Sequence, residues 1–276
     1  MKRSALLFFF FLCVFSVHAQ YFYNDIIANA QSNVQYQIIK KSKVKKVTAV
    51  SYESDNELNQ AFKIEQQINN DASKISTSSV YDGEGNSFTA GYYNNNRISK
   101  SEDSSNRVFT TTTYAYNNNG NISSITTVTR DAFMGSVSKE DHQWMYNSNN
   151  QPTAMWKIKD GVDTTKIELV YDEKGNVGEE IWRRKGKETE RYYYYWNDNH
   201  QLTDIVRFNL KARKMLPDFL FEYDSEGRVS QMTQVPANSS NYMIWKYVYD
   251  EKGLKKRELL YNKQHQAIGH IEYQYQ

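Results

Sequence analysis

The sequence predicts an all-β fold: an antiparallel β-meander of repeated hairpins, curled into an open roll or half-shell. Three observations predict it. Tyrosine is abundant at 22 copies while proline occurs only three times, a mix that favours strands joined by tight turns. One seven-residue phrase recurs, as YDEKGNV at 171–177, YDSEGRV at 223–229 and YDEKGLK at 249–255. The runs leading into these phrases alternate apolar and polar with a period of two.

Taken in order, the chain opens on Met1-Lys2-Arg3 and the apolar run ALLFFFFLCVFSV over 5–17. Val17-His18-Ala19 then supplies small or apolar residues where a signal peptidase needs them. Residues 1–19 are therefore expected to be a secretory leader, with Gln20 as the mature N-terminus. The run is too short for a bilayer-spanning helix. Cys13, the single cysteine, lies in mid-run behind Leu12, which does not suit a lipoprotein signal. The remaining chain has no thiol for a disulfide, a metal or nucleophilic catalysis. At its length, 20–276, a single domain can bury a sufficient core without such staples.

Loss of Lys2 and Arg3 with the leader cancels the formal net charge of +2. A neutral chain argues against nucleic acid as a partner. The local exception, KKSKVKK at 40–46, reads as a solvated edge strand guarded against aggregation.

Ten windows fit the seven-residue phrase to some degree, starting at Tyr52, Tyr81, Tyr92, Tyr116, Tyr146, Tyr171, Trp196, Tyr223, Tyr249 and Tyr261. Asp or Asn fills the second column except at Glu53 and Tyr93. The fifth column holds Asn56, Gly85, Asn96, Gly120, Asn150, Gly175, His200, Gly227, Gly253 and His265. Glycine takes positive φ freely, and Asn and His are among the few side chains enriched there. That slot predicts a left-handed residue closing a hairpin as a bulge after a type I turn, whose first residue is the Asp or Asn.

Copies from Tyr92 to Tyr249 are about 25 residues apart, room for two strands of roughly 8–10 residues and one more turn. Second turns are expected at Asn69-Asn70-Asp71, Lys159-Asp160-Gly161, Lys185-Gly186-Lys187 and Pro236-Ala237-Asn238. In a meander the motif turns from Tyr92 to Tyr249 then share one rim, while those at Tyr52, Tyr81 and Tyr261 lie on the opposite rim. The strands Ile167-x-Leu169-x-Tyr171, Tyr192-x-Tyr194-x-Trp196 and Phe219-x-Phe221-x-Tyr223 put an aromatic ladder on the apolar face. The segment 57–69 has both a helical and a strand reading; its match to the repeat at Tyr52 selects the strand through Phe62, Ile64, Gln66 and Ile68.

The phrases YDEKGNV, YDSEGRV and YNNNGNI resemble the YD repeats of the RHS family, and the resemblance covers roughly 46–276. It implies the family's β-sheet architecture, which in large RHS proteins encloses a toxin domain. Here repeats run to Tyr273-Gln274-Tyr275-Gln276, and neither a toxin domain nor the family's shell-closing block is recognisable. The chain also resembles small exported bacterial proteins made only of such repeats.

No catalytic fingerprint is present. His200 and His265 occupy turn slots, and His265 and His270 point to opposite faces of one strand. Glu140-Asp141 and Glu179-Glu180 are adjacent, so their side chains diverge. No cofactor or metal is expected, and the chain is expected not to be an enzyme. The second sheet face is expected to carry Trp182, Tyr193, Tyr195, Ile244 and Val248 among Glu168, Glu180, Arg184, Arg191, Glu222 and Lys246. Tyr and Trp among charges suit stacking on a sugar or docking of another envelope protein. Trp182, Tyr193 and Tyr195 are the candidate binding residues of an exported, periplasmic, cell-surface or secreted module. Pairing with a partner through the sheet edges is the alternative, and an enzyme with an unrecognised carboxylate site is third. A membrane barrel is disfavoured by the charges at mid-strand.

Overall fold

The computed structural model describes residues 21–81, 85–209, 212–236 and 241–276. The leader over 1–19, Cys13 and part of the turn expected at Pro236-Ala237-Asn238 lie outside the described residues. The first described element is a helix, α1 (Asn24–Lys41), and strands follow it. These are β1 (Lys46–Glu53), β2 (Leu58–Ile68), β3 (Lys74–Tyr81), β4 (Gly85–Asn94), β5 (Arg97–Ser105) and β6 (Val108–Tyr116). Next come β7 (Ile122–Asp131), β8 (Ser136–Tyr146), β9 (Pro152–Lys159), β10 (Asp163–Tyr171), β11 (Val177–Arg184) and β12 (Lys187–Trp196). The last are β13 (Leu202–Asn209), β14 (Lys214–Tyr223), β15 (Val229–Gln234), β16 (Met243–Tyr249), β17 (Lys255–Asn262) and β18 (Ala267–Tyr275).

All neighbours pair antiparallel in one 18-stranded sheet. β1 also pairs with β18, from Val47 opposite Tyr275 to Glu53 opposite Gly269. The sheet is therefore a closed barrel, and the expected open roll or half-shell is corrected. Closure satisfies the backbone groups that two free edges would expose. At one end of this seam a Cβ on Gly269 would lie 2.5 Å from the Tyr52 carbonyl oxygen. Gly269→Val should therefore cost about 1–3 kcal/mol by overpacking, read as a lower urea midpoint with an unchanged slope.

The repeat explains the turns. Asn117, Asn147, Asp172, Asn197, Asp224, Asp250 and Asn262 each use Oδ1 to accept the backbone N–H groups two and four residues on. The slot residues Asn56, Asn96, Gly120, Asn150, Gly175, His200, Gly227, Gly253 and His265 all have positive φ, between 57° and 81°. Two windows depart from the bulged form. Asn95 and Asn96, both at positive φ, make a two-residue hairpin closed by Asn94 opposite Arg97. Gly85 opens β4 directly opposite Tyr81, so it is a strand residue and not the expected bulge. The chain order of the hairpins puts the turns after Tyr92 through Tyr249 on one rim, the repeat rim, and those after Tyr52, Tyr81 and Tyr261 on the opposite rim, as expected.

The first column has a second role. Tyr116, Tyr146, Tyr171, Tyr223, Tyr249 and Tyr275 donate their hydroxyls, and Trp196 its Nε1, to the carbonyls of Ile98, Ile122, Pro152, Leu202, Val229, Lys255 and Val177 respectively. Except at the closing Tyr275, each is a motif aromatic bonding the residue that ends the preceding turn. The column thus takes Tyr or Trp, which have polar tips, and no Phe. Burial pushes the Tyr146, Tyr223 and Tyr249 hydroxyls up to about 12, so they remain donors. Tyr171→Phe should cost about 1 kcal/mol, well below the loss for Tyr171→Ala, and equilibrium unfolding of the two variants measures the difference.

α1 lies inside the barrel. One face of its segment contacts the wall: Tyr21 meets Tyr192, Tyr194 and Phe219, Asn29 bonds the Tyr116 hydroxyl, and Tyr36 stacks on Tyr93 at 3.9 Å, while Ala30, Gln31, Val34 and Gln37 are exposed. Two buried clusters result, one around Tyr36 and Ile39 against β1–β5 and β18, the other around Tyr21 and Phe22 against β7–β13. Lys40 bonds Asn96, and Ile38 lies beside Gly253, both on the repeat rim, so the helix plugs that end. A barrel of this strand number is wide enough to hold water in membrane pores; here its own helix occupies it. The expected edge strand at KKSKVKK is corrected too. Lys40 and Lys41 end α1, where cations complement the helix dipole, and Lys46 opens β1, which has partners on both sides.

Candidate functional site

Two sites emerge, one inside the barrel and one on its wall. The inner site is the seat of the plug. A helix start leaves backbone N–H groups without partners, and here the Phe22 and Tyr23 N–H groups donate to Glu180 Oε1 and Oε2, each at 2.7 Å. Trp182 Nε1 at 2.6 Å and the Tyr194 hydroxyl at 2.7 Å complete four donors around one carboxylate. Glu180 is wholly buried; burial pushes its carboxyl up, and the four donors pull against that rise. The carboxyl also sits at the positive end of the α1 dipole, which favours its charged form.

Beside it, His142 bridges the plug and the wall. Its Nδ1 lies 2.7 Å from Asp25 Oδ2 on α1, and its Nε2 3.0 Å from Glu140 Oε1 on β8. Trp144 Nε1 donates to the same Asp25 oxygen, and Lys157 pairs with Glu140 at 2.9 Å. The Phe22 ring packs edge-on against His142 and under the Lys157 ammonium. Burial by itself would lower the His142 pKa, but the Asp25 and Glu140 carboxylates outweigh it and raise it from 6.5 to about 9. Glu140, despite burial, is held down to about 2 by His142 and Lys157. A raised histidine contributes stability that is complete below its unfolded pKa and lost as pH rises through the folded one. The urea midpoint should therefore fall between pH 6.5 and about 9, by a free energy on the order of 3 kcal/mol. His142→Gln should flatten that decline.

The expected binding residues are divided between the two sites. Trp182 points inward against Phe22, with ring centroids 4.7 Å apart. Trp182 and Glu180 were both expected on the second face, and both are corrected to the interior. The cause is a register shift where Tyr171 pairs with Val177 and Val170 with Glu179. Gly178 is the extra residue, and it inverts the alternation of β11. Arg184 follows, pairing with Asp163 at 2.6 Å.

Tyr193 and Tyr195 face outward, and Tyr195 is 53% exposed. With Val170, Gly178 and Glu179 they line a shallow groove of about 190 Å³ on the outer wall. Gly178 has no side chain to fill the space between β10 and β12. Glu179 and Arg191 form an ion pair at 2.5 Å next to the groove. That pair belongs to an outer wall of mid-strand ion pairs: Lys100–Glu102, Lys139–Asp141, Lys166–Glu168–Arg183 and Arg257–Glu272. Such a wall suits water, since a charge facing lipid costs up to about 2–4 kcal/mol at mid-bilayer.

The remaining histidines are not brought together. His200 bonds Asn176 on the neighbouring turn, and His270 stacks on Tyr52 on the outside. Glu140 turns inward while Asp141 pairs outward with Lys139, as adjacent strand residues must.

No family model matches the chain, and no curated protein matches it. Among solved structures it is similar to a porin-like protein from Bacteroides uniformis ATCC 8492, at 9% identity over 84% of this chain and 98% of that one, with a TM-score of 0.40. A porin-like protein from Bacteroides vulgatus ATCC 8482 shares 12% identity over 84% and 98%, with a TM-score of 0.24. The TcdB2-TccC3-Cdc42 structure shares 11% identity over 77% of this chain but 15% of that one, with a TM-score of 0.32. These are remote likenesses and assign the chain to no family.

Proposed function

We propose that this chain is a non-catalytic, exported binding module of the cell envelope or the secreted fraction, a plugged barrel of degenerate YD-like repeats whose outer groove takes a glycan. The observation that carries the reading is the exposed Tyr195 ring beside Tyr193 and Val170, over the gap left by Gly178. A sugar face stacks on such a ring while its hydroxyls reach Glu179. Trp182 is no part of this site. The inner charged groups serve the plug, which supports a structural role for the cluster of Asp25, His142 and Glu140.

Glycan-array binding followed by calorimetry tests the reading. Tyr195→Ala should weaken the best glycan about tenfold, with no change in unfolding midpoint. Absence of any glycan binding by the unaltered protein, or equal binding by Tyr195→Ala, overturns it. Docking of a surface protein on the same groove is the second reading. Assembly through sheet edges is less favoured, because the β1–β18 seam would have to open first.

A further inference from the structure

The opposite rim carries a feature that neither the plug nor the groove uses. At the tip of the β7–β8 hairpin Phe133 is 80% and Met134 73% exposed. Asp131 Oδ1 accepts the N–H groups of both residues, at 2.8 and 2.9 Å, and Gly135 has a φ of 64°. The tip is thus a shaped turn that holds two apolar side chains out from the rim. Below it, the pairings Phe88–Ser104, Ser104–Phe109, Phe109–Arg130 and Arg130–Val137 place three more exposed apolar residues on one outward row across β4–β8. An exposed apolar cluster on one edge of a water-facing wall is a docking surface.

Charge identifies the occupant. Arg130 lies in the row between Phe109 and Val137, and the Arg107 carbonyl accepts the Ala132 N–H at 2.9 Å, which ties the β5–β6 turn to the tip. Among the described residues neither guanidinium forms an ion pair, whereas most outer-wall cations at mid-strand do. The carboxylate nearest the tip, Asp131, is engaged with the turn backbone. Apolar side chains in front of unpaired guanidiniums match the depth profile of a lipid surface. The side chains enter the acyl boundary, and the guanidiniums meet phosphate oxygens. We propose that the β7–β8 tip, with Phe109, Arg107 and Arg130, docks this barrel peripherally on an anionic phospholipid surface. The groove at Tyr195, at the repeat-rim end of β12, is then held away from that surface.

Flotation of the purified chain without residues 1–19 with phosphatidylcholine vesicles, with and without phosphatidylglycerol, tests the proposal. The protein should float with the anionic vesicles and much less with the neutral ones. Its binding should fall as salt rises. The double variant Phe133→Ser/Met134→Ser, and separately Arg107→Gln/Arg130→Gln, should each reduce anionic binding about tenfold or more. Both should unfold at the midpoint of the unaltered protein, because these side chains are exposed. Failure to float with either vesicle, or equal flotation of the variants, overturns the proposal. So does a dimer in solution that Phe133→Ser/Met134→Ser dissolves, since the patch then belongs to a second copy.

Discussion

Glu180→Ala is expected to lower the unfolding free energy by about 4 kcal/mol or more. The substitution strands four donors at once, the Phe22 and Tyr23 N–H groups, Trp182 Nε1 and the Tyr194 hydroxyl. Each buried polar group left without a partner costs roughly 1–3 kcal/mol. Two of the donors belong to the plug and two to the wall, so the loss also frees the N-terminal segment. Limited proteolysis should then cut near Tyr21–Tyr23 in the variant and not in the unaltered protein. Glu180→Gln should lose less, because it keeps the size and one acceptor, while turning an NH₂ group toward two donors. Urea titrations of the three proteins rank them.

Phe22→Ala is expected to cost about 3–5 kcal/mol, the usual range for removing a buried aromatic. Phe22 is wedged between Trp182 and His142 under the Lys157 ammonium. Phe22 lies outside every strand of the sheet, so a large loss here reports that the segment before α1 is core. The Phe22 ring packs on Trp182, whose Nε1 donates to Glu180, so the two losses should not add. The double variant should be less damaged than the sum of the two singles. Equal and additive small losses would mean that the segment lies outside the barrel.

The turns were legible because their chemistry is local. A slot filled by Gly, Asn and His needs only a left-handed backbone, and the Asp or Asn three residues earlier supplies its own hydrogen bonds. The meander and its rims followed from spacing alone. Barrel closure was not legible, because the pairing of Val47 with Tyr275 joins the two ends of the sheet and leaves no motif. The helix was hidden for a different reason. Asn29 and Asn33, polar residues on its inner face, bond the wall at Tyr116 and at the Ile98 N–H, and the apolar Val34 is exposed, so the helix lacks the clean apolar stripe of a surface helix. In β11 the alternation misled at one residue. Gly178 inverts it, which moves Glu180 and Trp182 from the expected outer face to the seat of the plug. The outer tyrosines were legible, because no bulge intervenes between Tyr192, Tyr194 and their neighbours. The cluster of Asp25, His142 and Glu140 had no signal in spacing, since Asp25 and His142 meet only through the fold.

The central claim is that one sheet closes on itself around the N-terminal helix. Native-state hydrogen exchange resolved to single amides tests it most directly, at the β1–β18 seam and in α1. Closure predicts slow exchange at successive residues from Val47 to Ser51 and from Ile271 to Tyr275, with slow exchange through the α1 amides at Ile38 and Ile39. Fast exchange at every second amide of β1 and β18, the signature of two free sheet edges, together with an unprotected α1, would contradict it.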